Sequence, residues 1–375
     1  MTPTILRGRR YDTSQTVEVA VANGRIASAT VLPDDPALPW LSPGFIDLQV
    51  NGYRGIGFND PALTPEKVVE VSLLMDQFGV TRYLPTLTTD SLELLSCSLA
   101  TIAQAINNSP LVKLRVPGVH LEGPFISPED GPRGAHPKQH VRPPNWDAFQ
   151  RLQQSAGGYI RLTTLSAEYD ESPDFIAKAV ASGVVVAIGH TKATTDQIRA
   201  AVDAGATLST HLGNGAHPLI RRHPNYIWDQ LAEDRLMASL IVDGHHLPPS
   251  VVKAMVRAKT PQRCILVSDK TNLGGLAPGT YHTPLGDIEL LSGGKPVLAG
   301  QRDILAGAAL PLSVNIAKAI EFAGVDLRTA IDMATVNPAR LMRWSLPFLE
   351  IGGSANLVAF RISQGNVQID QVQVG

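Results

Sequence analysis

The amino-acid sequence predicts an α/β protein: a (β/α)8 barrel, the TIM-barrel architecture, with a small β-sandwich domain built from both chain ends. Three features point that way. Short apolar runs alternate with helical segments through the middle of the chain, eight such runs can be counted, and most stop at a residue able to bind a metal or move a proton. In a barrel of this kind the C-terminal ends of the strands share one mouth, so residues scattered along the sequence converge there.

The two ends of the chain share one pattern. Residues 17–21 alternate apolar and polar, Asn23-Gly24 supplies a turn, and 25–31 alternate again. Residues 356–360 and 367–374 do the same after a Gly352-Gly353 turn. Residues 1–42 with 347–375 are therefore expected to form the small domain, and 43–346 the barrel. The barrel strand candidates are 44–50, 81–84, 114–120, 161–165, 184–190, 207–211, 237–242 and 264–268. One helix is expected to start at Thr64-Pro65, where proline suits the first helical position, and to end before Gly79. Another opens on Thr194-x-x-Gln197, a capping box, and ends at Gly205. The stretch 271–304, with its glycine pairs and alternation, reads as a hairpin excursion. The stretch 127–144, rich in Pro, Gly and His, reads either as a flap over the mouth or as a plain surface loop carrying His136. A doubly wound open sheet fits the same alternation, but no GxGxxG loop follows the first strand.

A chain of 375 residues can bury a sizeable core, and 44% hydrophobic against 18% charged residues is the balance of a globular protein. A net charge of −2 gives no basic footprint for nucleic acid. No apolar run approaches the ~18 residues of a membrane span, and no secretion signal is expected at the N-terminus. Cys97 and Cys264 are far apart and form no CxxC pair, which favours buried free thiols and a reducing compartment. The expectation is a cytoplasmic protein without nucleic-acid or membrane partners.

The apolar runs end on chemistry. The first stops at Asp47-Leu-Gln49-Val-Asn51, the third at His120-Leu-Glu122, the fifth at Gly189-His190, the sixth at Thr210-His211 and the eighth at Ser268-Asp269-Lys270; Asp243-Gly-His245-His246 follows the seventh. A lone histidine at a strand end is most often structural, whereas several at successive ends make a site. Glu122, His190 and His211 offer one carboxylate and two imidazoles, a set that suits Zn²⁺, and also Fe²⁺, Co²⁺ or Mn²⁺, with a position left for water. Asp269, on a neighbouring strand, is then the free carboxylate that takes a proton from water. Period-two alternation puts Gln49 and Asn51 on one face of the first strand. Neutral amides are poor transition-metal ligands, so one divalent ion per chain is expected, Zn²⁺ first.

Together Pro43-Gly-Phe-Ile-Asp-Leu-Gln-Val-Asn-Gly52, His120-Leu-Glu-Gly-Pro-Phe125, Gly134-Ala-His136, Gly189-His190, Thr210-His-Leu-Gly-Asn214, Asp243-Gly-His-His246 and Asn337-Pro-Ala-Arg340 resemble the motifs of the N-acetylglucosamine-6-phosphate deacetylases of the amidohydrolase superfamily. The likeness spans essentially the whole chain. It implies metal-dependent hydrolysis of the acetamide of N-acetylglucosamine 6-phosphate to glucosamine 6-phosphate and acetate, without an organic cofactor. It implies Glu122, His190 and His211 as metal ligands and Asp269 as the catalytic acid/base. It places His136 and His246 at the sugar and acetyl group, and Asn214 and Gly215 at the sugar and its phosphate. Arg222, with Arg221 as its competitor, corresponds to a phosphate-binding arginine that reaches in from the other subunit of a homodimer with a shared active site.

Three stretches depart from the family pattern. Lys270 follows the catalytic aspartate where a small residue is usual, Gly215-Ala-His217-Pro replaces bulkier aromatic and Met residues, and Leu305-Ala-Gly307 replaces a Ser-rich turn. All three are expected to lie where substrate sits, and they keep N-acetylgalactosamine 6-phosphate or another acylated amino sugar as the alternative substrate. A cyclic-amide hydrolase or deaminase of the same superfamily is a second alternative, opposed by Gln49 and Asn51 in place of an HxH pair. A catalytically inactive sugar-phosphate binding barrel is a third, opposed by the presence of Asp269 beside a metal set.

Overall fold

The computed structural model describes residues 3–283 and 286–375. Four strands open the chain: β1 (Thr4–Arg10), β2 (Thr16–Ala22), β3 (Arg25–Val31) and β4 (Trp40–Pro43). The first barrel strand, β5 (Phe45–Val50), runs into a short hairpin, β6 (Gly52–Tyr53) and β7 (Ile56–Gly57). The other barrel strands are β8 (Val80–Thr88), β9 (Val119–Glu122), β10 (Ile160–Leu165), β11 (Val185–Ile188), β12 (Leu208–Ser209), β13 (Met237–Leu240) and β14 (Cys264–Leu266). These eight form one parallel sheet, each strand pairing with the next in sequence. The ring closes just beyond β14. Lys270 bridges Val50, the Asp269 N–H donates to the Gln49 carbonyl at 3.0 Å, and the Asn51 N–H donates to the Lys270 carbonyl at 2.9 Å.

Helices α1 (Pro65–Leu74), α2 (Leu92–Asn108), α3 (Pro110–Arg115), α4 (Trp146–Ser155), α5 (Ser172–Ala181), α6 (Thr195–Asp203), α7 (Tyr226–Ala232) and α8 (Pro249–Lys259) fall between successive barrel strands; α9 (Leu312–Ala323), α10 (Leu327–Ala334) and α11 (Val336–Met342) follow. The alternation that predicted the strands sorts their side chains. Cys264 and Leu266 join the cluster packed against the helices, whereas Ile265 and Val267 join Ile46, Leu48, Leu162 and Leu208 in a separate cluster with Met342. Thr64 caps α1, which gives way to a single 3-10 turn that stops at Gly79, φ 75°. Both halves of the Thr194/Gln197 capping box are formed.

The third strand differs from expectation. Residues 114 and 115 end a helix, because the Ser109 hydroxyl caps it and Pro110 suits its first position, and Arg115 is turned to pair with Asp76 at 2.6 Å. The strand starts at Val119 and Glu122 is its last residue. Cys264 is buried, but Cys97 is exposed, on the face of α2 opposite Leu95, Ser98 and Leu99.

The excursion after β14 is a four-stranded antiparallel sheet, β15 (Gly279–Thr283), β16 (Gly286–Leu291), β17 (Lys295–Leu298) and β18 (Gln301–Leu305). The chain then returns through β19 (Leu357–Ser363) and β20 (Asn366–Gln373), which join the opening strands in the order β20-β19-β4-β1-β2-β3. This sheet curls until the Ile26 N–H meets the Gly353 carbonyl at 2.9 Å. Val19, Ile26, Leu41 and Leu357 fill its own core. Among the described residues no helix is long and apolar enough to cross a membrane.

Candidate metal centre

Three strand ends bring three ligand-type atoms almost into contact. Glu122 Oε1 lies 2.9 Å from His211 Nε2 and 3.1 Å from His190 Nε2, and the two nitrogens are 3.1 Å apart. Atoms bound tetrahedrally to an ion at ~2.1 Å stand about 3.4 Å from one another, so the set is close to the size of such a shell. All three residues are buried. His190 and His211 sit in left-handed backbone, φ 48° and 29°, and so does Asp269, φ 49°. Each such non-glycine residue costs about 1–3 kcal/mol, and strain of that size gathering at the ends of three strands marks a functional site.

The donor set fits a cation. His190 Nδ1 is 2.8 Å from the Pro132 carbonyl, which can only accept, so Nδ1 carries the proton and Nε2 turns a lone pair toward Glu122. Burial opposes ionisation of Glu122, yet the two imidazoles hold its carboxyl well below the usual range. Burial likewise opposes charge on His211, and Glu122 outweighs it and raises the imidazole. A lone pair and a carboxylate oxygen facing one another call for a proton or a metal ion between them. His136 forms a looser set with Glu122 and His190, ligand atoms within 4.8 Å.

Gln49 and Asn51 reach the same place from β5, whose register slips between Asp47 and Val50. The Gln49 amide donates to Glu122 Oε2 and Asp269 Oδ1, both at 3.0 Å, and the Asn51 amide donates to Asp269 Oδ1 at 2.6 Å. Burial and the neighbouring Glu122 charge push the Asp269 carboxyl up to about 7. An unfolded aspartate titrates near ~3.9. Between those values the folded state holds a proton that the unfolded state does not, so Asp269 removes stability as pH rises through that window. In metal-free protein Asp269→Asn is therefore expected to raise Tm at pH 8, with a smaller gain at pH 5. Calorimetry giving a Tm unchanged or lowered at pH 8 would contradict this.

The other residues singled out in the sequence are spread around this centre. The buried His136 ring packs edge-on to His190 at 4.4 Å, and burial, with His190, pushes its imidazole down to about 3. His246 Nδ1 bonds Asp243 at 2.8 Å, and His246 is among the groups that act on Asp269. Burial opposes ionisation of Asp243, but His246 and two backbone amides hold it at about 2. The Asn214 amide donates back to the His211 carbonyl at 3.1 Å. Gly215, φ 57°, lies so near His190 that a Cβ there would stand 2.7 Å from Nδ1. Arg222 and Arg221 are not brought to the centre: they are exposed, and among the described residues neither guanidinium has a partner.

One of the departures lies elsewhere than expected. Lys270 is fully buried, and its ammonium lies among Met75, Tyr53 and Phe78 rather than beside Asp269. Its ammonium is 2.9 Å from Met75 Sδ and 4.4 Å from the Phe78 ring, and burial pushes it down to about 8. His217 ties loops together, with Nε2 3.2 Å from Glu129 and Nδ1 3.0 Å from the Tyr226 hydroxyl. The segment 127–144 is bound to the centre through Pro132 and His136. Sequence reading missed Pro132, which acts through its backbone carbonyl, and Thr89, whose backbone amide and hydroxyl both face His136.

The amidohydrolase family model matches residues 40–375. The human N-acetylglucosamine-6-phosphate deacetylase is 34% identical over 85% of this chain and 78% of its own length. The Escherichia coli O157:H7 N-acetylgalactosamine-6-phosphate deacetylase is 30% identical over 95% of this chain and 94% of its own. A structure of a mutant N-acetyl-D-glucosamine-6-phosphate deacetylase from Mycobacterium smegmatis, in complex with N-acetyl-D-glucosamine-6-phosphate, superposes with a TM-score of 0.87 at 28% identity, covering 100% of this chain and 99% of that one. A barrel mouth with a Glu–His–His cluster and a free aspartate, matched in sequence over most of its length, leaves one assignment: the chain belongs to the amidohydrolase family and, within it, to the N-acetylglucosamine-6-phosphate deacetylases.

Proposed function

We propose that the chain hydrolyses the acetamide of N-acetylglucosamine 6-phosphate to glucosamine 6-phosphate and acetate. The observation that carries the reading is the placement of Asp269: a carboxyl held by the Gln49 and Asn51 amides beside the Glu122, His190 and His211 cluster. A divalent ion held by that cluster, Zn²⁺ first, would polarise the acetamide carbonyl and make water a better nucleophile. Asp269 takes the proton from water as it attacks and delivers it to the departing sugar nitrogen. A cation held in the cluster would favour the carboxylate form of Asp269, which could then act as the base. Gln49 and Asn51 hold Asp269 in place. His136 donates to the carbonyl oxygen as negative charge builds there. Asn214, Gly215 and His246 contact the sugar and its phosphate.

Arg222 of a second copy would meet the phosphate, making the complete site a property of a homodimer. In support, Leu219 is 90% exposed on the same loop, and Ile220 and Trp228 lie open nearby, an apolar patch that a second copy would cover. Residues 1–42 with 347–375 as a small domain, 43–346 as the barrel, and a cytoplasmic location belong to the same reading.

A second reading is favoured by the long match to the Escherichia coli enzyme: the same chemistry on N-acetylgalactosamine 6-phosphate. Acetate release from the two 6-phosphates and from the unphosphorylated sugars decides between them. The highest kcat/KM is expected on N-acetylglucosamine 6-phosphate. A higher value on the galactosamine epimer would establish the second reading, and no release from any substrate would leave an inactive binding barrel.

A further inference from the structure

We propose that Thr89 is a positioning residue that fixes the tautomer of His136, keeping this imidazole out of the metal shell and making it a hydrogen-bond donor toward substrate. The proposal rests on the deacetylase reading only for what the donor meets; the tautomer is a property of the protein alone.

Thr89 lies one residue beyond β8 and is buried. Its backbone N–H donates to His136 Nδ1 at 3.3 Å, and its hydroxyl lies 2.8 Å from the same nitrogen. A backbone amide can only donate, so Nδ1 is the acceptor. The hydroxyl then donates to the same side of the ring, and the single proton of the neutral imidazole sits on Nε2. The other tautomer would set two N–H groups against each other. Among the described residues the Thr89 amide has no second acceptor, so it would be left buried and unpaired.

Pro132 imposes the opposite on His190, whose Nδ1 donates to a carbonyl at 2.8 Å. Two imidazoles packed 4.4 Å apart are thus held by backbone groups in opposite tautomers. His190 offers a lone pair at Nε2, and His136 offers a proton there. Among the described residues His136 Nε2 has no partner, so the donor is free. This separates two ligand sets that proximity alone leaves open. Glu122, His136 and His190 come within 4.8 Å of one another, but a protonated Nε2 has no lone pair for a cation, so His211 is the third ligand. Gly123 serves the same arrangement: at φ 87°, a Cβ there would stand 2.2 Å from the Thr89 hydroxyl and push it off His136.

The test is nitrogen-15 NMR of histidine side chains in zinc-loaded protein, with His136 identified by its loss in His136→Asn. Protonated Nε2 with bare Nδ1 is the expected result. A proton on Nδ1, or zinc bound at His136 Nε2, overturns the proposal. Kinetics supply an independent readout. Glutamine can place an N–H near the Nε2 position and asparagine near Nδ1. With metal content unchanged in both, His136→Gln is expected to keep kcat within about tenfold of wild type, and His136→Asn to lose on the order of 10²-fold or more, the scale for removing one donor to an oxyanion. Equal losses, or loss of the metal in both, overturn it. Thr89→Ser should leave the His136 signals unchanged, whereas Thr89→Val, which loses only the hydroxyl, should shift them; identical spectra for the two would overturn the part given to the hydroxyl and leave the tautomer to the backbone amide. Absence of acetate release from every substrate would defeat the deacetylase reading and leave the NMR result standing.

Discussion

Asp269→Asn is expected to lower kcat by on the order of 10²-fold or more while metal content stays at one ion per chain. The amide keeps the shape of the carboxyl and its place beside Gln49 and Asn51, but cannot take a proton from water. Asp269 makes its hydrogen bonds to those two amides, whereas the three atoms that lie within 3.1 Å of one another belong to Glu122, His190 and His211. Glu122→Gln is expected to behave differently, losing metal affinity along with activity, because its Oε1 is the one oxygen that meets both imidazoles. Metal analysis with chelator competition, run beside steady-state kinetics, separates the two outcomes. Loss of the ion from Asp269→Asn would make Asp269 a ligand and remove it as the base. Two equivalents in fully loaded, active wild-type protein would overturn the single-ion assignment, in which Gln49 and Asn51 serve as hydrogen-bond donors.

Arg222→Ala is expected to raise KM for the 6-phosphate by roughly 10- to 100-fold while changing KM for the unphosphorylated sugar little. A sugar phosphate brings about two negative charges to a mouth that already holds Glu122 and Asp269. Arginine suits such a group because its planar fork meets two phosphate oxygens at once. Among the described residues neither the Arg221 nor the Arg222 guanidinium has a partner, which is the state expected of an arginine that completes a neighbour's site. Mixing Arg222→Ala with Asp269→Asn protein should restore part of the activity, since one hybrid site would carry both wild-type residues. Unchanged KM would move the role to Arg221 or end it. No recovery, despite proven subunit exchange, would put the phosphate contact within one chain.

The barrel was legible because two signals coincide: apolar runs of strand length, and polar residues at their ends. Where only one was present the reading slipped. Residues 114–116 are apolar enough for a strand, but Ser109-Pro110 starts a helix that carries through Arg115. Lys270 follows Asp269 in sequence and was expected at the substrate, yet the chain turns through left-handed backbone at Asp269 and Lys270 is buried among Met75, Tyr53 and Phe78. The cluster of Glu122, His190 and His211 could be read because side-chain type and strand position both mark it. The groups that orient it could not. Pro132 contributes a carbonyl, which every residue has, and Thr89 an amide, which nearly every residue has, with a hydroxyl that many threonines and serines elsewhere in the chain also carry.

The curled sheet carries a consequence for the order in which the molecule is assembled. Strand β4 lies between β1 and β19, pairing Leu41 with Ala359 and Pro43 with Leu357, partners separated by almost the whole chain. During synthesis β4 emerges early and must wait, one edge unpaired, while every barrel strand is made. Such long-range pairing is slow, and a waiting edge is open to the wrong neighbour. The Gly44 N–H donates to the Asn356 carbonyl at 2.9 Å, one residue before the barrel begins. Strands made only after the whole barrel thus clamp the start of the first barrel strand, and a nascent chain halted before β19 would carry a complete catalytic cluster on a barrel whose base is still unfastened.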